Sequence, residues 1–121
     1  MRLRNIAGSR DVIAESEWVI QEPCSQKGKW TEVFGNDHSI RIEIGMGKGK
    51  FLHELAKENP EINYIGIEKY SSVLLRAIQK METDPLPNLR FIRMDAEEIS
   101  EVFAEEEICL LYTSDAADDK A

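Results

Sequence analysis

The sequence predicts an α/β fold in which a parallel β-sheet is flanked by helices. Three observations lead to this prediction: short apolar runs alternate with helical patterns, acids stand at the ends of the runs, and a glycine-rich turn follows the first run. The order strand-helix-strand-helix-strand-helix-strand calls for crossover connections, which place consecutive strands parallel. With 121 residues, the chain is long enough for one domain with a buried core.

The first unit, residues 40–58, is a strand, a turn and a helix. Three isoleucines alternate with other residues from 40 to 44, which indicates a short buried strand. Glycines at positions 45, 47 and 49 allow a sharp turn and let a ligand approach bare backbone N–H groups. An apolar stripe then predicts a helix, which Asn59-Pro60 ends.

Further strands and helices follow this unit. Three more strands are predicted by the apolar runs 62–68, 89–94 and 108–112. Either Ser71 or Ser72 is a candidate N-cap for the helix after the second strand. Asp95 is a candidate cap for the helix after the third strand, through the pattern Asp-x-x-Glu.

Residues 1–38 form an N-terminal extension in which two features allow alternative interpretations. The arginines at positions 2, 4 and 10 fit a frayed basic terminus or an arm that contacts phosphate. Trp30, with a lysine on either side of Gly28, fits a packed aromatic residue or a platform for base stacking. In both cases the first interpretation is the commoner one.

Composition bears on the class of protein. A formal net charge of −8 argues against a nucleic-acid partner for the chain as it stands. No apolar run has the length of a membrane span, and the first residues lack the apolar stretch of a signal peptide. Cys24 and Cys109 fit neither a disulfide framework nor a metal-ligand pattern, so we expect reduced thiols, no metal and a cytoplasmic location.

Three ligand classes compete for the glycine turn. A P-loop needs Gly-x-x-x-x-Gly-Lys-Ser/Thr, which residues 45–51 do not match. The dinucleotide fingerprint Gly-x-Gly-x-x-Gly needs a glycine where Lys50 stands. The S-adenosylmethionine site of Rossmann-like methyltransferases has Glu-x-Gly-x-Gly, which residues 43–47 match. An acid at Glu43 would repel a pyrophosphate, whereas it favours the positive sulfonium and amino groups of S-adenosylmethionine.

Carboxylates stand at the ends of three successive predicted strands: Glu43, Glu68 and Asp95. Glu68 lies 23 residues after Gly45, where a carboxylate can accept both ribose hydroxyls of a nucleoside. Each acid alone fits a solvated strand end or a helix cap. Three of them at successive strand ends, with glycines after the first, favour the methyltransferase interpretation.

The sequence resembles the bacterial tRNA (guanine-N7)-methyltransferases from Met1 to about Ile108. The resemblance is carried by the Met-Arg-Leu-Arg start and by residues 27–30, 33–37, 42–49, 63–68 and 94–96. It implies a Rossmann-like methyltransferase fold with S-adenosyl-L-methionine as cofactor, and a tRNA substrate methylated at N7 of a guanine in the variable loop. It also implies the cofactor-binding residues Glu43, Gly45, Gly47, Glu68 and Asp95, with the two glycines lining the methionine part.

The chain departs from the family pattern after the fourth predicted strand. The family continues into Ser-Asp-Pro-Trp-Pro-Lys-Lys, whose aspartate lies at the reaction centre, whereas Asp115 here follows a serine without the Pro-Trp-Pro-Lys sequence. We therefore assign no catalytic residue. We expect native sequence to end near Ile108, so that residues 39–108 are a cofactor-binding half-domain and residues 109–121 a non-native tail. This would leave an inactive fragment whose sheet is truncated after about the fourth strand, with the basic RNA-binding surface in the missing half.

Two alternatives remain open: the half-domain of an NAD-dependent oxidoreductase, and a non-catalytic nucleotide-binding fragment. The first shares the strand-glycine-helix unit and Glu68, and the second would leave one sheet edge exposed. The other polar residues suggest no chemistry. We expect a surface position for His53, and a solvated helix face for the acids from Glu97 to Glu107.

Overall fold

A computed structural model describes residues 8–113, which form a four-stranded sheet with short helices around it. The strands are β1 (Ile40–Ile44), β2 (Asn63–Ile67), β3 (Leu89–Ile92) and β4 (Leu110–Thr113). Their order across the sheet is β3-β2-β1-β4, and all neighbouring pairs are parallel. The predicted parallel sheet is thereby confirmed, and β4 extends it into the segment that the sequence assigns to the tail.

Within residues 8–113, five α-helices accompany the strands. They are α1 (Ser9–Glu15), α2 (Trp30–Phe34), α3 (Lys50–Glu58), α4 (Ser71–Thr83) and α5 (Ile99–Val102), with 3₁₀ turns at Pro23–Gln26 and Ala96–Glu98. The predicted N-cap of α4 is wrong: the cap residue is Tyr70, and Ser71 is the first helical residue. The start of this helix is held instead by the backbone N–H of Tyr70, which donates to a side-chain oxygen of Glu68.

Apolar side chains cover both faces of the sheet, as expected for parallel strands. One face packs against α3 and α4 through a cluster that includes Leu52, Tyr64, Leu74, Ile78 and Phe91. The opposite face packs against α2 and α5 through a cluster that includes Trp30, Ile42, Ile65, Ile92 and Phe103. Because the alternating isoleucines of β1 all lie on the second face, its remaining polar residues point to the first.

The N-terminal extension packs against the sheet. Val19 forms a parallel bridge with Phe91, where the N–H of Phe91 donates to the Trp18 carbonyl and Phe91's own carbonyl accepts from Ile20. This pairing covers the free edge of β3. No helix in the described part of the chain is long and apolar enough to cross a membrane.

His53 on α3 is buried, which corrects the predicted surface position. Its side chain is 3% exposed, and Nε2 lies 2.9 Å from the carbonyl oxygen of Asp84. Lys57, one turn further along, pairs with the Asp84 carboxylate at 2.7 Å. These two contacts connect α3 to the loop that follows α4.

Candidate functional site

The predicted site residues lie along one edge of the sheet, where three adjacent strands end. Glu43 is the next-to-last residue of β1, Glu68 directly follows β2, and Asp95 lies three residues after β3. The N–H of Glu68 donates to the Ile92 carbonyl at 3.1 Å, so the ends of β2 and β3 are level. Ligands of open parallel sheets bind beyond this edge, next to the strand ends.

The glycine turn is fixed to the end of β2. The N–H groups of Gly45 and Met46 both donate to the Ile67 carbonyl, at 2.8 and 3.1 Å. The three glycines at 45, 47 and 49 have φ angles of 69°, 64° and 78°. Side chains rarely adopt this left-handed conformation, so each alternate position of the turn requires glycine.

Glu68 joins the turn to the start of α4. Its Oε1 accepts a hydrogen bond from the Gly47 N–H at 3.0 Å, and its Oε2 accepts one from the Tyr70 N–H at 3.1 Å. The residue is 7% exposed. Because a carboxylate offers about four lone-pair sites, each oxygen keeps one site for a further donor. Glu68 therefore both positions the turn and remains able to bind a ligand.

Gly66 in the middle of β2 was missed by the sequence reasoning. A Cβ atom there would lie 2.1 Å from Met46 Sδ and 2.8 Å from Leu52 Cδ2. Met46, itself 6% exposed, can therefore pack across β2 and support the turn from behind only because residue 66 has no side chain. The available signal was a glycine inside an otherwise apolar strand.

The turn is open to solvent at Gly47, on the side away from Met46. A Cβ built on Gly47 would have no atom within 4 Å. The turn thus presents bare backbone to open space next to Glu68, while Met46 fills the space behind it. Such a surface can accept the extended part of a ligand.

Glu43 is buried beneath the turn, with 2% of its surface exposed. It lies opposite Gly66 of β2 and Tyr112 of β4. On the same face, Arg41 pairs in register with Tyr64, whose pKa is raised by burial. A side-chain hydrogen bond with Tyr112 raises the pKa of the Arg41 guanidinium above its usual value. Polar groups therefore continue along this face of the sheet below the site.

Asp95 is exposed and caps the helical segment that follows it. Its Oδ1 accepts from the Glu97 N–H at 3.0 Å, which confirms the predicted cap. No hydrogen bond joins Asp95 to Glu68 or to the glycine turn within residues 8–113. The structure thus connects Glu68 and Gly47 directly, whereas Asp95 is related to them only by its position three residues after the adjacent strand, β3.

A family model of methyltransferases matches this region. The model Methyltransf_4, described as "Putative methyltransferase", matches residues 37–114, which include all four strands and the glycine turn. The chain belongs to this methyltransferase family. The match includes all five residues that the sequence predicts to bind cofactor.

Curated relatives agree with the resemblance found in the sequence. The tRNA (guanine-N(7)-)-methyltransferase of Lachnoclostridium phytofermentans is 60% identical over 93% of this chain and 52% of that protein. The protein of the same name from Enterococcus faecalis is 50% identical over 93% of this chain and 53% of that protein. The predicted resemblance is confirmed, and the chain spans about half the length of the curated relatives it matches.

Solved structures agree with the fold. A structure titled as an antibiotic-related methyltransferase is 28% identical with a TM-score of 0.51, covering 58% of this chain and 37% of that one. A phosphoethanolamine N-methyltransferase 2 from Haemonchus contortus, solved with S-adenosyl-L-methionine, is 14% identical with a TM-score of 0.52. It covers 87% of this chain and 28% of that one, and supports the fold alone.

Trp30 of this methyltransferase chain is a core residue. It is fully buried, its Nε1 donates to the Val102 carbonyl at 2.8 Å, and its ring stacks on Phe103 with centroids 4.9 Å apart. The base-stacking alternative is therefore wrong, because no face of the ring is available to a ligand.

Glu107 holds the segment around Trp30, which corrects its assignment to a solvated helix face. Its Oε1 accepts from the N–H groups of Gly28 and Ala104, each at 2.9 Å, and its Oε2 accepts from the Trp30 N–H at 3.1 Å. Nothing in the run of three acids distinguishes this glutamate from its neighbours. Asp115, the other acid considered above, lies outside the described residues.

Proposed function

We propose that this chain provides the S-adenosylmethionine-binding part of a tRNA (guanine-N7)-methyltransferase, acting in the cytoplasm on a guanine of the tRNA variable loop. The observation that carries the proposal is the hydrogen bond between Glu68 and Gly47. It joins the acid at the end of β2 to a glycine turn that itself follows a buried acid, Glu43. The names of the curated relatives support the reaction and the substrate.

The residues present fit this cofactor. Open space beside Gly47 allows a ligand to lie against the backbone, and Glu68 keeps lone pairs for two hydroxyl donors. The acidic side chain of Glu43 is buried beneath the turn. A carboxylate at this position would suit a ligand with a sulfonium and an ammonium group, and it would disfavour the pyrophosphate of a dinucleotide.

Each residue then has a separate role. Glu68 would accept the ribose hydroxyls while its hydrogen bond to Gly47 keeps the turn in place. Gly45 and Gly47 would line the methionine part with bare backbone. Asp95 uses Oδ1 for its cap and would offer Oδ2 to the adenine amino group. All five residues, Glu43 included, act by binding and orienting the cofactor.

The chemistry makes small demands on acid–base groups. The cofactor, when bound, supplies a methyl group that is open to nucleophilic attack. N7 of guanine carries a lone pair and no proton, so the attack needs no general base. Glu43, Glu68 and the glycine turn would contribute by fixing the in-line position and by a field suited to the moving positive charge.

Methyl transfer tests the proposal. A chimaera would join residues 1–108 to the C-terminal half of the Lachnoclostridium relative, and be compared with the 121-residue chain. We expect the chimaera to form 7-methylguanine in an unmodified tRNA transcript, and the chain alone to form none. A transcript with adenine in place of the variable-loop guanine is the control.

The alternatives predict other outcomes. An inactive but folded chimaera would favour a non-catalytic nucleotide-binding fragment. Methylation by the 121-residue chain alone would contradict the expectation that the substrate half is needed. Equal methylation of the adenine transcript would contradict the proposed target base.

A further inference from the structure

A small cavity with a basic lining lies at the far edge of β3, away from β1. Its volume is about 180 Å³. Arg10 of α1 lines it, together with Arg93 directly after β3, and the segment 19–23 provides most of the remaining lining. The two arginines are 83 positions apart in sequence, so only the fold brings them to one cavity.

The walls of the cavity are fixed by backbone hydrogen bonds. The pairing of Trp18 and Ile20 with Phe91 holds the segment against β3 at 2.8 and 2.9 Å. Gln21 uses its side-chain Nε2 to bind the carbonyls of Ile13 and Val19, at 2.8 and 3.2 Å. The amide donors of Gln21 are therefore committed to the protein, and the two guanidinium groups remain as the donors available to a ligand.

Neither arginine has a partner among residues 8–113. The ion pair found there joins Lys57 to Asp84, and no hydrogen bond from either guanidinium is present. Arg90, on the same strand, differs from them. Its Nη1 donates to the Leu89 carbonyl at 2.7 Å, and its guanidinium lies 5.6 Å from the centre of the Trp18 ring. Unlike Arg90, the cavity arginines form no hydrogen bond or ion pair with the rest of residues 8–113.

Two unpaired cations at one cavity favour an anion. Guanidinium groups bind phosphate oxygens through paired N–H donors, and like charges that line one cavity gain from an anion between them. Arg93 directly follows β3 and lies two residues before Asp95, so this arginine is at the end of the sheet where the predicted cofactor residues lie. A long polyanion bound to that end of the sheet could therefore reach the cavity.

We propose that Arg10 and Arg93 bind a backbone phosphate of the tRNA substrate. This inference rests on the proposed function, because it takes the polynucleotide from there. The sequence left open whether the N-terminal arginines contact phosphate, and this inference assigns such a contact to one of them, Arg10. The overall acidity of the chain does not oppose a local basic site, since charges beyond about 10 Å are largely screened at 0.1 M salt.

Salt-dependent tRNA binding tests the inference in the chimaera of residues 1–108 with the C-terminal half of the Lachnoclostridium relative. In it, the double variant Arg10→Gln/Arg93→Gln would be compared with the unsubstituted chimaera and with Arg76→Gln, an exposed arginine on α4 away from the cavity. Loss of one phosphate contact should reduce the slope of log K against log salt by about one, and weaken binding roughly three- to tenfold. The Arg76→Gln control should leave both quantities near the wild-type values.

A second measurement identifies the source of the phosphate. The side-chain Nε–Hε resonances of Arg10 and Arg93 would be followed by NMR during titration with tRNA, and with inorganic phosphate at equal phosphate concentration. We expect them to shift with tRNA and to respond weakly to inorganic phosphate.

Two results would overturn the inference. They are unchanged affinity and salt slope in the double variant, and a response of the two arginines to inorganic phosphate alone. The proposed function is judged separately, by cofactor binding and by the chimaera. Failure of the phosphate site in an active chimaera would therefore leave that function intact.

Discussion

At the scale of single residues, the glycine turn depends on a position outside it. Gly66 lies in β2, yet its missing side chain makes room for Met46, which supports the turn. A glycine within a strand usually marks such a close approach. The residues that shape the candidate site therefore include Gly66, which lies outside the glycine turn.

Substitution of Gly66→Ala should lower the free energy of unfolding by about 1–3 kcal/mol, because the added methyl group overpacks the core. It should also weaken S-adenosylmethionine binding, since Met46 must move. Chemical denaturation and calorimetric titration would measure the two effects. Gly8→Ala is the matched control, because a Cβ there meets no atom within 4 Å.

A double variant makes this test specific. If the clash with Met46 causes the loss, Met46→Ala should cost less in the Gly66→Ala background than in wild type. Additive effects of the two substitutions would show that the loss has another origin.

Tyr64 offers a pH-dependent prediction. Burial raises the pKa of its hydroxyl, and this effect outweighs the opposing interaction with the Arg41 guanidinium. Below the unfolded pKa of about 10, both states keep the proton; at higher pH the unfolded state loses it first. Stability should therefore fall as the pH rises from about 10 through the folded-state pKa.

The Tyr64→Phe variant should show a smaller loss between pH 9 and pH 11 than wild type, measured as the change in unfolding temperature. At pH 7 it should change the free energy of unfolding by less than about 1 kcal/mol, because the cost of burying the hydroxyl offsets its interaction with Arg41. An alkaline loss equal to that of wild type would assign the effect to other groups.

At the scale of elements, local patterns identify the strands and helices, whereas contacts between distant segments stay hidden. Alternating isoleucines predict β1, and Asn59-Pro60 predicts the end of α3, because both signals are local. The bridge from Val19 to Phe91 is a single pair with no periodicity, so no pattern could reveal it. For the same reason the sequence does not place β4 next to β1.

Glu107 shows how such a long-range contact holds an element. Its carboxylate accepts from three backbone N–H groups, at the start of α2 and in the turn before β4. A glutamine offers one carbonyl oxygen, so its amide group would face at least one donor.

Substitution of Glu107→Gln should therefore lower the free energy of unfolding by about 1 kcal/mol, because the hydrogen bonds that it weakens are exposed or half-buried. Glu106→Gln, at an exposed neighbouring position, should change it by less than about 0.5 kcal/mol. Denaturant unfolding measures both variants. Equal effects would mean that Glu107 acts only through its charge.

At the scale of the whole molecule, the candidate site could be predicted because its acids lie at or just after the ends of strands. Parallel strands bring their carboxyl ends to one edge, so acids after successive strands converge there without knowledge of the tertiary contacts. The bond between Glu68 and Gly47, by contrast, depends on side-chain conformation and on the exact turn. The basic cavity also escaped prediction, because Arg10 and Arg93 meet only after the N-terminal segment pairs with β3.

The domain boundaries at residues 38 and 108 remain predictions. Trp30 lies in the core and β4 continues the sheet, so the described segments on either side of these boundaries pack with the central unit. The division into extension, half-domain and tail is therefore a division of the sequence, and the described parts of the three segments pack together.

The most direct test of the central claim is calorimetric titration of the 121-residue chain with S-adenosylmethionine and with NAD. We expect binding of S-adenosylmethionine and none of NAD at the same concentration. Glu68→Gln should weaken binding about 10- to 100-fold, the equivalent of a hydrogen bond to a charged group, while the exposed Glu82→Gln on α4 should leave it unchanged. Preference for NAD, or equal binding by wild type and Glu68→Gln, would contradict the account.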